Sequence, residues 1–162
     1  SRGSFYTYFE DKMDVLRYIF QDTKRQYQDF CRETLVDSGG DFWKMVEELF
    51  HQVLYRDYSG RLARLFQNVL TYAEAEKFVK ILRESGGDGK KMDEWMYEQV
   101  DKSQLRIESL EEFRVLIEMC MLAILMAFAQ RYKDKESIES VEWSFFRKMD
   151  FLKNGVLKHK ES

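Results

Sequence analysis

No proline occurs anywhere in the 162 residues, where average usage of about 5% would place roughly eight. That absence removes polyproline linkers, proline-bounded turns and cis-proline corners together, and the eight glycines must carry most of the punctuation. Glycine-containing breaks fall at Ser38-Gly39-Gly40, at Gly60 and at Ser85-Gly86-Gly87-Asp88-Gly89. Between them apolar residues recur every three or four positions, which is the period of an amphipathic helix, so the chain reads as all-α. Its length suits one domain that buries about two-thirds of its unfolded surface. Hydrophobic content of 44% beside 34% charged residues is a globular balance, not a disordered one.

The segments can be placed in turn. A long helix is expected from Asp11 to about Leu35, with Asp11 as a possible N-cap and a stripe of Leu16, Ile19, Phe20, Tyr27, Phe30 and Cys31. Asp41 can cap a second helix bearing Phe42, Val46, Leu49, Phe50 and Val53, and a third runs from Arg61 toward Leu82. A loop is expected at 85–89, then a helix carrying Met92, Trp95, Met96 and Val100, then a short extended stretch at Leu105 and Ile107. Ser109-Leu110-Glu111-Glu112 matches a capping box, and the helix it starts should run to about Tyr132. From Val115 to Ala129 that helix is apolar at almost every angle, so it should be buried on more than one side. A last helix, about Ser137 to Leu157, carries Ile138, Val141, Phe145, Met149, Leu152 and Val156, while Trp143 and Phe151 fall off that stripe and ask for a second surface.

The chemistry of active sites is thin. Neither His51 nor His159 has a second ligand at metal spacing, so no zinc or di-iron pattern can be written and no metal or cofactor is expected. Glu84 and Lys91 stand where a phosphate loop around Ser85 to Lys90 would need glycine and a hydroxyl residue, and no strand precedes it. No catalytic residues are assigned, and the chain is read as not an enzyme. Cys31 and Cys120 are far apart in sequence and form no CxxC pair, which suits buried thiols in the cytoplasm. The Val115–Ala129 run is too short to span a bilayer, so no membrane partner is expected. A net charge of −3 gives no steering toward nucleic acid.

The opening residues, Ser1-Arg2-Gly3-Ser4-Phe5-Tyr6-Thr7-Tyr8-Phe9, followed by Lys12 and Leu16, closely resemble the end of the DNA-binding domain of TetR-family transcriptional regulators. Phe151-Leu152-Lys153-Asn154-Gly155 is similar, less specifically, to the closing helix of that family. The resemblance implies a TetR-like helical ligand-binding and dimerisation domain at 11–162, preceded at 1–10 by the end of a helix-turn-helix recognition helix. On this reading the first part of the DNA-binding domain lies upstream, and this chain alone does not bind DNA: residues 1–35 carry six basic and six acidic side chains.

The resemblance implies further roles. Arg2, Ser4, Tyr6 and Tyr8 would face operator DNA, with Lys12 on a phosphate, in the intact protein. Ligand-binding candidates are Tyr27, Phe30, Trp43, Phe50, Phe66, Trp95, Met96 and Met119, because aromatic and methionine side chains line adaptable apolar cavities. Glu118, a carboxylate in an apolar helix, needs a partner and could meet a cationic effector. Homodimer contacts are expected at Phe128, Trp143, Phe146 and Met149. The function implied is a ligand-responsive repressor whose small hydrophobic or cationic effector releases it from DNA. The alternative is an all-helical protein-protein interaction module that shares only the opening motif.

Overall fold

The computed structural model describes residues 12–55 and 87–156. Every regular element among them is helical: α1 (Lys12–Asp37), α2 (Phe42–Tyr55), α3 (Gly87–Gln99), a 3-10 turn (Lys102–Gln104), α4 (Leu110–Tyr132) and α5 (Ile138–Asn154). The Asp11 cap and the Arg61–Leu82 helix lie outside the described residues.

Capping chemistry sets the ends much as the sequence implies. The Asp41 carboxylate accepts from the Lys44 backbone N–H at 3.0 Å, one turn into α2. Ser109 Oγ accepts from Glu112 N at 3.2 Å, while Glu112 Oε2 accepts from Glu108 N at 2.6 Å, so the returning half of the box reaches one residue further back than the cap. Ser137 Oγ accepts from Ser140 N at 3.2 Å. Two boundaries differ from expectation. Residues 87–89 belong to the first turn of α3 and not to a loop, because the glycine penalty of about 1 kcal/mol each is outweighed once Met92, Met96 and Val100 are buried along one stripe. The last helix stops at Asn154, where Gly155 adopts φ +74 and its N–H bonds Phe151 O at 2.8 Å, so Val156 stands exposed and off the core stripe.

The turn between α1 and α2 carries a tight approach. Gly39 and Gly40 take φ of +68 and +88, and the Gly40 N–H closes α1 on Leu35 O at 2.8 Å. Gly40 O then accepts from Asp101 N at 2.9 Å, and a Cβ on Gly40 would stand 2.6 Å from Gln99 O. The end of α3 therefore docks on this turn backbone to backbone.

Helix α4 is the centre of the packing, in contact with α2, α3 and α5, while α1 lies on α2 and α3. It buries Phe113, Cys120, Ala123, Ile124, Leu125, Ala127 and Phe128, which accounts for its apolar character at most angles. Aromatic pairs knit the layers. Phe50 of α2 stacks on Phe145 of α5 at 3.8 Å between ring centroids, Phe42 meets Phe113 edge-on at 5.5 Å, and Phe128 lies 4.5 Å from Tyr132.

Candidate functional site

Polar contacts fix how the helices sit against one another. Arg114 on α4 reaches Asp93 and Glu94 of α3, both at 3.5 Å, and Glu111 of its own helix at 3.1 Å. Lys153 of α5 pairs with Glu47 of α2 at 2.8 Å and lies 5.3 Å from the Trp43 ring centre. The last turn of α2 is held twice: Tyr132 Oη donates to Leu54 O at 3.2 Å, and Tyr55 Oη donates to Glu142 of α5. That carboxylate acceptor pushes the Tyr55 hydroxyl up to about 12. Lys148 donates to Ser144 Oγ at 2.7 Å, and its partial burial lowers its pKa from the ordinary lysine value.

The expected ligand residues separate into groups. Tyr27 and Phe30 on α1, and Trp95 and Met96 on α3, stand on two helices that pack together; Tyr27, Phe30 and Trp95 border the core and Met96 is buried in it, with the Arg32 guanidinium 5.6 Å from the Trp95 ring centre. Trp43 stands apart under Lys153, its ring edge-on to Phe42. Phe50 has no exposed surface, and its ring is occupied by Phe145 and Phe146. Glu118 is half-buried on α4 and engaged within the molecule, whereas the neighbouring Met119 is 46% exposed. Phe66 lies outside the described residues, as do Arg2, Ser4, Tyr6 and Tyr8; Lys12 is the first residue of α1.

The expected dimer residues divide as well. Phe128 and Met149 are 1% exposed and fill the core of the chain, Phe146 is half-buried against Phe50, and Trp143 is 72% exposed. Phe151 on α5, which the sequence also set off its stripe, is open under the Arg147 guanidinium, and Met119, expected at the ligand, is open on α4; sequence reasoning did not single out the exposed Val115 and Met126 beside it. The 115, 119, 122, 126 spacing on α4 could have revealed them, but an apolar surround masks any one stripe. Among the described residues no group of histidine, cysteine or acidic side chains is placed to hold a metal ion, and no helix is long and apolar enough to cross a membrane.

Such an arrangement defines an all-helical domain of the two-surface kind, with a packed interior and an apolar outer surface on its two C-terminal helices. Residues 41–156 match the tetracyclin repressor-like C-terminal domain family, and the chain belongs to it. The match runs from the Asp41 cap through the end of α5, which covers every described element except α1. No curated protein and no solved structure matches the chain. Proteins of this family are transcriptional regulators and in general not enzymes.

Proposed function

We propose that the chain is the sensor and dimerisation part of a repressor that leaves operator DNA when a small hydrophobic or cationic molecule binds it. The family match over 41–156 carries this reading. Residues 1–10 are then the end of a helix-turn-helix and 11–162 the effector and dimer domain. Arg2, Ser4, Tyr6 and Tyr8 meet DNA, and Lys12 meets a phosphate and sets position more than sequence preference. The setting is cytoplasmic, in keeping with two cysteines held as free, buried thiols.

The effector lies where α1 meets α3, against Tyr27, Phe30, Trp95 and Met96, with Glu118 of α4, which already has a contact inside the chain, as the candidate carboxylate for a cationic effector. The homodimer forms through the outer surfaces of α4 and α5, with Trp143 as its most exposed anchor. Lys12 and Tyr27 share α1, fifteen residues or about 22 Å apart, so a shift of the helix at the effector is felt at its DNA-facing end. The effector must bind the DNA-incompetent arrangement more tightly, and operator must weaken effector binding by the factor by which effector weakens operator binding.

The test starts with a thermal-shift screen of hydrophobic and cationic compounds. A hit at a hundred times its Kd stabilises by about 2.7 kcal/mol. Its affinity is then measured with and without operator on the regulator carrying its complete helix-turn-helix. Reciprocal weakening is expected, and equal affinity overturns the reading.

A further inference from the structure

We infer that Lys148 is an acyl-acceptor site: its amine, hydrogen-bonded to the Ser144 hydroxyl one turn back on α5, takes an acyl group from a small acyl phosphate or thioester. Lys148 differs from the other lysines whose side chains the structure describes. Lys153 pairs with Glu47 at 2.8 Å, Lys102 lies 4.3 Å from the Tyr97 ring centre, and Lys133 is half-buried and engaged within the chain. Lys44, Lys91 and Lys135 stand exposed. Lys148 is half-buried, forms no ion pair among the described residues, and donates instead to a neutral oxygen, Ser144 Oγ, at 2.7 Å. Helix geometry makes that bond: residues four apart share a face, and a helical side chain leans toward the N-terminus.

A hydroxyl holds an ammonium less firmly than a carboxylate does, and burial penalises the charge. Desolvation accordingly brings the Lys148 amine below the ordinary lysine value, with the Glu136 carboxylate opposing it. Glu136 is itself engaged, accepting from Ser140 Oγ at 3.1 Å. The neutral amine is the nucleophile, and the bond to Ser144 fixes where it sits. One N–H remains on Ser144 Oγ while the nitrogen lone pair attacks the acyl carbon. A bond forms between Nζ and that carbon, and the bond from the carbon to the phosphate oxygen or thiol sulfur breaks. The leaving group departs with that electron pair and takes up the proton shed by Nζ, so no further reactant is required. Acylation removes one positive charge and leaves a single N–H, enough to keep the bond to Ser144. The site depends on neither the effector nor the dimer.

The chain is incubated with acetyl phosphate, and separately with an acetyl thioester, and the acetylation rate at each lysine is read by peptide mass spectrometry. Lys148 should react about three- to tenfold faster than Lys44 and Lys135 with both donors, because the preference resides in the amine and not in the leaving group. No preference, or a preference with one donor alone, overturns the inference. In concentrated urea the three lysines should react alike. A preference kept there would belong to the local sequence and not to the fold, and overturns it too. Ser144→Ala should bring the Lys148 rate to within about twofold of the Lys44 rate, and Ser144→Thr, which keeps the hydroxyl, should preserve the advantage. Circular dichroism checks that both variants retain their helices. An undiminished Lys148 rate in folded Ser144→Ala overturns the part given to the hydroxyl.

Discussion

Gly40 shows how much a single residue can hold. Its φ of +88 already excludes most side chains, and a Cβ there would meet the backbone of Gln99 and Asp101, at 2.6 and 2.7 Å, with no flexible side chain to give way. Gly39, at φ +68, has nothing within 4 Å of the same position. Gly40→Ala should therefore lose about 3 kcal/mol and Gly39→Ala about 1 kcal/mol, read as denaturation midpoints at constant slope. Equal losses would mean that the approach of α3 contributes nothing. Burial makes a second residue-scale prediction, since it pushes the thiols of Cys31 and Cys120 up to about 12 from an ordinary 9.0. A group whose pKa is higher folded than unfolded stabilises fully below its unfolded value. That contribution is lost as pH rises through the folded value. Unfolding titrations between pH 8 and 11 should show stability falling from about pH 9, and both thiols should react with an aromatic disulfide only on unfolding.

At the scale of elements, the caps and the bridges make different claims. Ser109 and Ser137 each satisfy a backbone N–H that would otherwise be orphaned, so Ser109→Ala and Ser137→Ala should each cost about 1 kcal/mol at all salt concentrations. Arg114 joins α3 to α4 through carboxylates that are themselves partly or largely exposed. Arg114→Met should cost less than 1 kcal/mol in low salt, and the difference should shrink in 1 M salt. The caps were legible because Ser-x-x-Glu and an isolated Asp or Ser before a stripe are local signals, read within four residues. The start of α3 was not legible, because Gly87 and Gly89 argue locally for a loop and only burial of Met92 and Met96 against distant helices decides otherwise. The Gly40–Asp101 bond and the bridge from Lys153 to Glu47 span too much sequence to leave any pattern. At the site, the sequence singled out Trp143 as needing a second surface. It could not separate Phe128 and Met149, which the chain buries itself, from Met119 and Met126, which it leaves open.

For the whole molecule, the sharpest consequence of the proposed homodimer is that stability should depend on concentration. Unfolding of a dimer releases two chains, so each tenfold dilution lowers its stability by 1.4 kcal/mol. Two chains of 162 residues unfolding together carry an entropy of about 0.7 kcal/mol/K, so the melting temperature should fall by about 2 °C per tenfold dilution. Trp143 separates this effect from folding. At 72% exposure it adds little within one chain, so Trp143→Ala should leave the melt of the dissociated chain unchanged while lowering the melt at micromolar concentration and moving the onset of the concentration dependence upward. Phe50→Ala is the contrasting case: stacked on Phe145 at 3.8 Å and fully buried, it should lose about 3–5 kcal/mol at every concentration. Calorimetry over a hundredfold concentration range checks all three chains. A flat melting temperature in the unaltered protein would mean that the exposed stripe on α4 and Trp143 on α5 are covered by something other than a second copy.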